Sequence, residues 1–97
     1  ERIKVPHEAL ADYCRRNSIK ELSFFGSVLR DDFGPDSDID VLVEFEAGKT
    51  PGLAIMDMQE ELAGLLGRKV DLRTAKELSR YFREEVLKEA KAQYVQA

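Results

Sequence analysis

Ninety-seven residues are enough for one domain with its own core and too few for a second, substrate-binding one, so a single domain over 1–97 is expected. Nineteen acidic residues against fifteen basic ones leave a formal charge of −4, which argues against direct nucleic-acid binding because affinity for a phosphate backbone needs a basic surface. The one cysteine excludes an internal disulfide, and no apolar run approaches a membrane span or signal peptide, so a reducing cytoplasm away from membranes is the expected setting.

Pro6 suits the start of a helix, and Leu10, Tyr13 and Cys14 follow at helical spacing until Asn17-Ser18 break the pattern. His7 has no second histidine to share a site with and reads as a surface residue, while Cys14 reads as a small core residue. Ile19 to Phe25 alternates as a first strand, with Leu22 and Phe24 on one face. Gly26-Ser27 then makes a break, and Val28 to Asp31 reads as one helical turn. Gly34-Pro35 opens a loop that delivers Ser37-Asp38-Ile39-Asp40 into a second strand.

That stretch carries the chemistry. Alternate side chains of a strand share a face, so Asp38 and Asp40 point the same way about 6.6 Å apart. Two carboxylates fixed in this way repel each other unless a cation lies between them, and hard oxygen ligands suit Mg²⁺. A phosphate chain is the natural anion to complete such a site. Gly26 allows close approach of backbone to a ligand, the helical turn after it aims unpaired N–H groups outward, and Ser27 adds a hydroxyl. A Gly-Ser turn alone is a common turn, and an Asp-x-Asp alone is a common solvated strand end; the specific signal is their combination.

In the second strand, Ile39, Val41, Val43 and Phe45 face a core, whereas Asp38, Asp40, Leu42 and Glu44 run from the site toward solvent. Thr50-Pro51 reads as an N-cap and first-turn proline, and Ile55, Met58, Leu62, Leu65 and Leu66 trace a helical stripe that stops at Gly67. Lys69 to Arg73 is a short strand with Val70 and Leu72 on one face and Asp71 on the other, able to join the same site if this strand lies beside the second. A surface Asp71 balanced by Lys69 and Arg73 is the plainer alternative. Thr74-x-x-Glu77 is a capping box that starts a last helix, in which Tyr81, Phe82, Val86, Leu87, Ala90 and Tyr94 make an apolar surface wider than one packing seam requires. Its tail is a candidate partner surface.

The run FGSVLRDDFGPDSDIDVLVEF resembles the nucleotidyltransferase superfamily with the polymerase-β-like fold, whose signature is Gly-Ser followed by Asp-x-Asp at the head of the next strand. Most of all it resembles the minimal nucleotidyltransferases paired with HEPN-domain toxins. The resemblance implies an α/β (α+β) fold, a small mixed sheet with helices packed on one face and the active site on the other. It also implies a catalytic triad of Asp38, Asp40 and Asp71 holding two Mg²⁺ ions, with ATP as substrate. Gly26 and Ser27 would hold the β- and γ-phosphates. Arg30 and Ser37 are further nucleotide-binding candidates, although Arg30 serves equally as a structural ion-pair partner of Asp31, Asp32 or Asp36. The implied activity is AMP transfer to a hydroxyl, in first place a tyrosine of a partner HEPN RNase toxin that the chain would silence as its antitoxin. A catalytically idle antitoxin and a small-molecule adenylyltransferase like the aminoglycoside enzymes are the alternatives.

Overall fold

The computed structural model describes residues 3–30 and 33–97. Helix α1 (His7–Arg16) leads into strand β1 (Ile19–Phe25), and a 3-10 turn (Gly26–Leu29) and a loop lead to β2 (Ile39–Phe45). A second 3-10 turn (Gly52–Ala54) precedes α2 (Ile55–Leu66), followed by β3 (Val70–Thr74). A third 3-10 turn (Ala75–Glu77), α3 (Arg80–Glu89) and β4 (Lys91–Val95) complete the chain. The sheet order is β3-β2-β1-β4. β1 is antiparallel to both β2 and β4, and β2 is parallel to β3, so the sheet is mixed.

The strand alternation places Ile39, Val41 and Val43 of β2, Leu22 and Phe24 of β1, and Val70 and Leu72 of β3 in one core with Leu10, Tyr13 and Cys14 of α1 and Met58, Leu62 and Leu66 of α2. Tyr13 is fully buried, and its hydroxyl donates to the Met58 carbonyl at 2.9 Å, tying α1 to α2. Burial pushes the Tyr13 phenol above its ordinary value and the Cys14 thiol up to about 12. Gly67 ends α2 in the left-handed conformation at φ 71°, its N–H returning to the Ala63 carbonyl. His7 is exposed and Cys14 buried, as their contexts predict. No helix is long and apolar enough to cross a membrane among the described residues.

Several local expectations are corrected. The turn after β1 starts at Gly26 rather than Val28, and Asp31 lies outside the described residues. Thr50 does not cap α2; the chain first makes the Gly52–Ala54 turn and enters the helix at Ile55 without a side-chain cap. The Thr74/Glu77 capping box is present, but it closes the short Ala75–Glu77 turn. The longer helix is started by Ser79, whose side chain accepts from the Phe82 N–H. Beyond Glu89 the helix stops, and Lys91–Val95 pairs with β1 as an edge strand, so Ala90 and Tyr94 do not extend a helical stripe.

Helices α1 and α2 cover the face opposite Asp40, in keeping with the expected layering, but α3 is added on the Asp40 face. There Val86 and Leu78 pack on Phe25 and Leu42 in a second, smaller apolar cluster. Leu42 is therefore buried although it shares a face with Asp40 and Glu44. Arg83 holds this layer in place by donating to the carbonyls of Ala75 and Leu78.

Candidate functional site

Strand pairing assembles the site. Because β1 and β2 are antiparallel, the end of β1 meets the beginning of β2: Phe25 stands opposite Asp40, and Gly26 follows at once. Because β2 and β3 are parallel and in step, Asp40 stands opposite Asp71. Gly26, Asp40 and Asp71 thus come together from segments far apart in sequence.

Gly26 has φ +74°, a conformation that side-chain-bearing residues rarely adopt, and a Cβ built on it would run into the Asp40 carboxylate. Only glycine lets the backbone lie flat against that carboxylate. The residue is buried, and its N–H points to a carboxylate of another element, donating to Glu89 Oε1 at 3.2 Å. Ser27 sits half-buried on the same turn, and its carbonyl accepts from the Arg30 N–H at 2.9 Å.

Asp40 is half-buried, and its carboxyl is raised above its ordinary value, first by burial and then by the neighbouring charges of Asp71 and Asp38. The charges of both other candidate carboxylates therefore reach Asp40. Among the described residues, however, no three acidic, histidine or cysteine side chains converge as a ready metal cage. The Asp71 carboxylate is turned along its own strand onto Arg73, with contacts of 3.1 and 3.3 Å. The donors are the hard oxygens that suit Mg²⁺, and the repulsion focused on Asp40 is what a cation would relieve, so the residue set fits the metal in chemistry.

The remaining candidates are placed less directly. Ser37 closes a turn with Gly34: its N–H donates to the Gly34 carbonyl at 3.1 Å, and its Oγ accepts from the Gly34 N–H at 3.0 Å. Arg30 pairs with Glu89 at 3.2 Å, a partner not foreseen from the sequence; Asp31 and Asp32 lie outside the described residues. Arg68 was also missed. It donates to the carbonyls of Gly34 and Ser37 and lies over the Phe33 ring at 4.4 Å, which fastens the turn leading into Asp38. A groove lined in part by Leu42, Glu44, Ala75, Leu87 and Ala90 opens beside α3 further along β2, and none of the three aspartates lines it.

With this geometry in hand, comparison with known proteins is decisive. The family model "Nucleotidyltransferase domain" matches residues 7–93. The chain belongs to that family. This nucleotidyltransferase is 37% identical over 75 residues to the protein adenylyltransferase MntA of Thermococcus cleftensis, covering 76% of this chain and 74% of the relative. A toxin-antitoxin crystal structure with AMP-PNP superposes with a TM-score of 0.76 at 22% identity, over 95% of this chain and 75% of that one. A structure of a tri-AMPylated Shewanella oneidensis HEPN toxin in complex with its MNT antitoxin gives a TM-score of 0.67 at 23% identity, over 93% and 70% of the two chains. Those structural likenesses establish the polymerase-β-like fold of the minimal nucleotidyltransferases. The family match makes the chain a nucleotidyltransferase.

Proposed function

We propose that this nucleotidyltransferase transfers AMP from ATP to a tyrosine hydroxyl of a HEPN-domain RNase toxin in the cytoplasm and so acts as its antitoxin. The observation that carries the reading is the meeting of Gly26, Asp40 and Asp71 at one end of the sheet, a backbone turn laid against a carboxylate pair. It is supported by relatives whose own names are protein adenylyltransferase and by similar folds described in toxin complexes, one of them AMPylated.

In the reaction the acceptor oxygen attacks the α-phosphorus, the bond from that phosphorus to the bridging oxygen breaks, and pyrophosphate leaves with the electron pair. Asp38, Asp40 and Asp71 would hold Mg²⁺ as two ions, which when bound neutralise charge on the attacking and leaving oxygens together. The Gly26 N–H and the Ser27 hydroxyl would grip the β- and γ-phosphates, with Arg30 and Ser37 donating to phosphate oxygens from the loop side. Asp71, one strand further from the phosphate turn than Asp40, is the carboxylate suited to orient the acceptor hydroxyl and receive its proton, once it has turned from Arg73.

The test is the intact mass of a cognate HEPN toxin incubated with this protein, ATP and Mg²⁺. One or more added AMP units mapped to tyrosine support the reading. A toxin that is inhibited but unmodified would instead make the chain a steric antitoxin, and modification of a small-molecule acceptor alone would replace the protein substrate.

A further inference from the structure

Glu89 is the last residue of α3, where the negative end of the helix dipole disfavours an acid. Its carboxylate is nevertheless held there by two donors from elsewhere in the fold. Oε1 accepts from the Gly26 N–H at 3.2 Å, and both oxygens contact Arg30 Nη2, at 3.3 and 3.2 Å. The topology imposes this meeting. β4 starts with Lys91 opposite Phe24, so Glu89, two residues earlier, falls beside Gly26, two residues after Phe24. An acid placed against the local electrostatic preference of its own helix points to a role outside that helix.

Gly26 N–H and Arg30 are the same donors that the proposed function assigns to the triphosphate, and this inference rests on that assignment. We propose that Glu89 is an internal competitor for the phosphate chain: its carboxylate occupies the anion position at the Gly26 turn, and binding of a nucleoside triphosphate must displace it. A backbone N–H has one hydrogen to give, and two anions cannot share it without repelling each other. Displacement releases the Glu89 side chain at the junction of α3 and β4, where Leu87 and Lys91 lie on the surface of the molecule, so a protein that contacts Glu89 there responds to nucleotide occupancy. The reverse coupling follows by linkage: a protein that binds α3 and draws Glu89 away from Gly26 tightens ATP binding by the same factor.

The experiment is calorimetric titration of the parent, Glu89→Gln and Glu89→Ala with ATP and with adenosine, in the presence of Mg²⁺, after thermal unfolding has verified that the variants are folded. Glu89→Gln keeps the shape and removes the charge, so it remains informative if the alanine variant is unstable. ATP affinity is expected to rise about tenfold in both variants, the size of one charge-assisted contact no longer contested, while adenosine affinity stays unchanged. If the parent prefers ATP to adenosine and neither variant binds ATP more tightly, the competitor role is overturned while the phosphate-turn reading stands. If the parent binds adenosine as tightly as ATP, the phosphate-turn reading fails and this inference fails with it.

Discussion

Asp40 of β2 stands directly opposite Asp71 of β3 in the parallel register, two acidic residues paired on neighbouring strands. Like charges in that position destabilise a sheet. The effect is visible in Asp40, whose carboxyl is raised first by burial, then by Asp71 and Asp38. Such a pair is an electrostatic cost that a bound cation would offset.

A stability consequence follows with a definite sign. A raised folded-state value means that the fold favours the protonated form; that contribution is complete below the unfolded-state value and is lost as pH rises through the folded-state one. At neutral pH the ionised Asp40 therefore works against folding. Asp40→Asn, which imitates the protonated group, should raise the melting temperature in EDTA at pH 7, with the gain shrinking as the pH is lowered. Added Mg²⁺ should stabilise the parent and leave the variant unmoved. A lower melting temperature for Asp40→Asn at pH 7 without metal would contradict the assignment of strain.

Gly26 gives a second prediction. Alanine there must adopt φ +74° and place its Cβ against the Asp40 carboxylate. The left-handed conformation alone costs about 1–2 kcal/mol, and relief of the collision would push Asp40 out of line. Gly26→Ala is expected to lower the unfolding free energy, read from denaturant titration, by at least that amount and to abolish transfer. An active, equally stable variant would show that close approach is not required.

How much of this was readable beforehand depended on the range of the signal. The placement of the candidate site residues was legible because it follows from local patterns: strand alternation put Asp40 and Asp71 on their faces, and Gly-Ser marked the break after β1. The side of the sheet chosen by α3 was not legible, since an apolar stripe states that a helix packs and not on which face. β4 was misread for a related reason. Val86, Ala90 and Tyr94 recur every four residues, which continues a helix as well as it fits a half-buried edge strand. Glu89 escaped notice because its partner Gly26 is 63 positions away. The signal available was local, an acid in the last turn of a helix.

The exposed apolar side chains favour a partner on α3. Tyr81 is 92% exposed, and Phe82 and Leu87 are about half exposed. Leu87→Ser and Tyr81→Ser remove apolar surface that the domain itself does not bury, so each should leave the melting temperature within about 4 °C of the parent, in keeping with the small effect of surface substitutions. Binding to the HEPN toxin should weaken at least several-fold if α3 is the docking element, as measured by surface plasmon resonance. Undiminished affinity in the double variant would move the interface elsewhere. Truncation at Glu89 is a poorer probe, because it removes β4 and unpairs one side of β1.

Asp71 allows binding and chemistry to be separated. A phenol titrates near pH 10, so a tyrosine acceptor is protonated at neutral pH and attacks poorly unless its proton is taken. Gly26, Ser27 and Asp40 are positioned by β1 and β2, while Asp71 comes from β3 and reaches them only through the strand register. Removing it leaves the phosphate turn whole. Asp71→Ala should keep ATP affinity within a few-fold of the parent while the transfer rate falls about 10²–10⁴-fold, the range for loss of a group that assists proton transfer. Arg73→Ala supplies the control: it breaks the ion pair that now holds Asp71 and leaves the carboxylate in place, so transfer should be retained. Equal losses in both variants would mean that the Asp71–Arg73 pair serves the fold of β3 rather than the reaction, whereas loss confined to Asp71→Ala assigns the carboxylate to the chemistry.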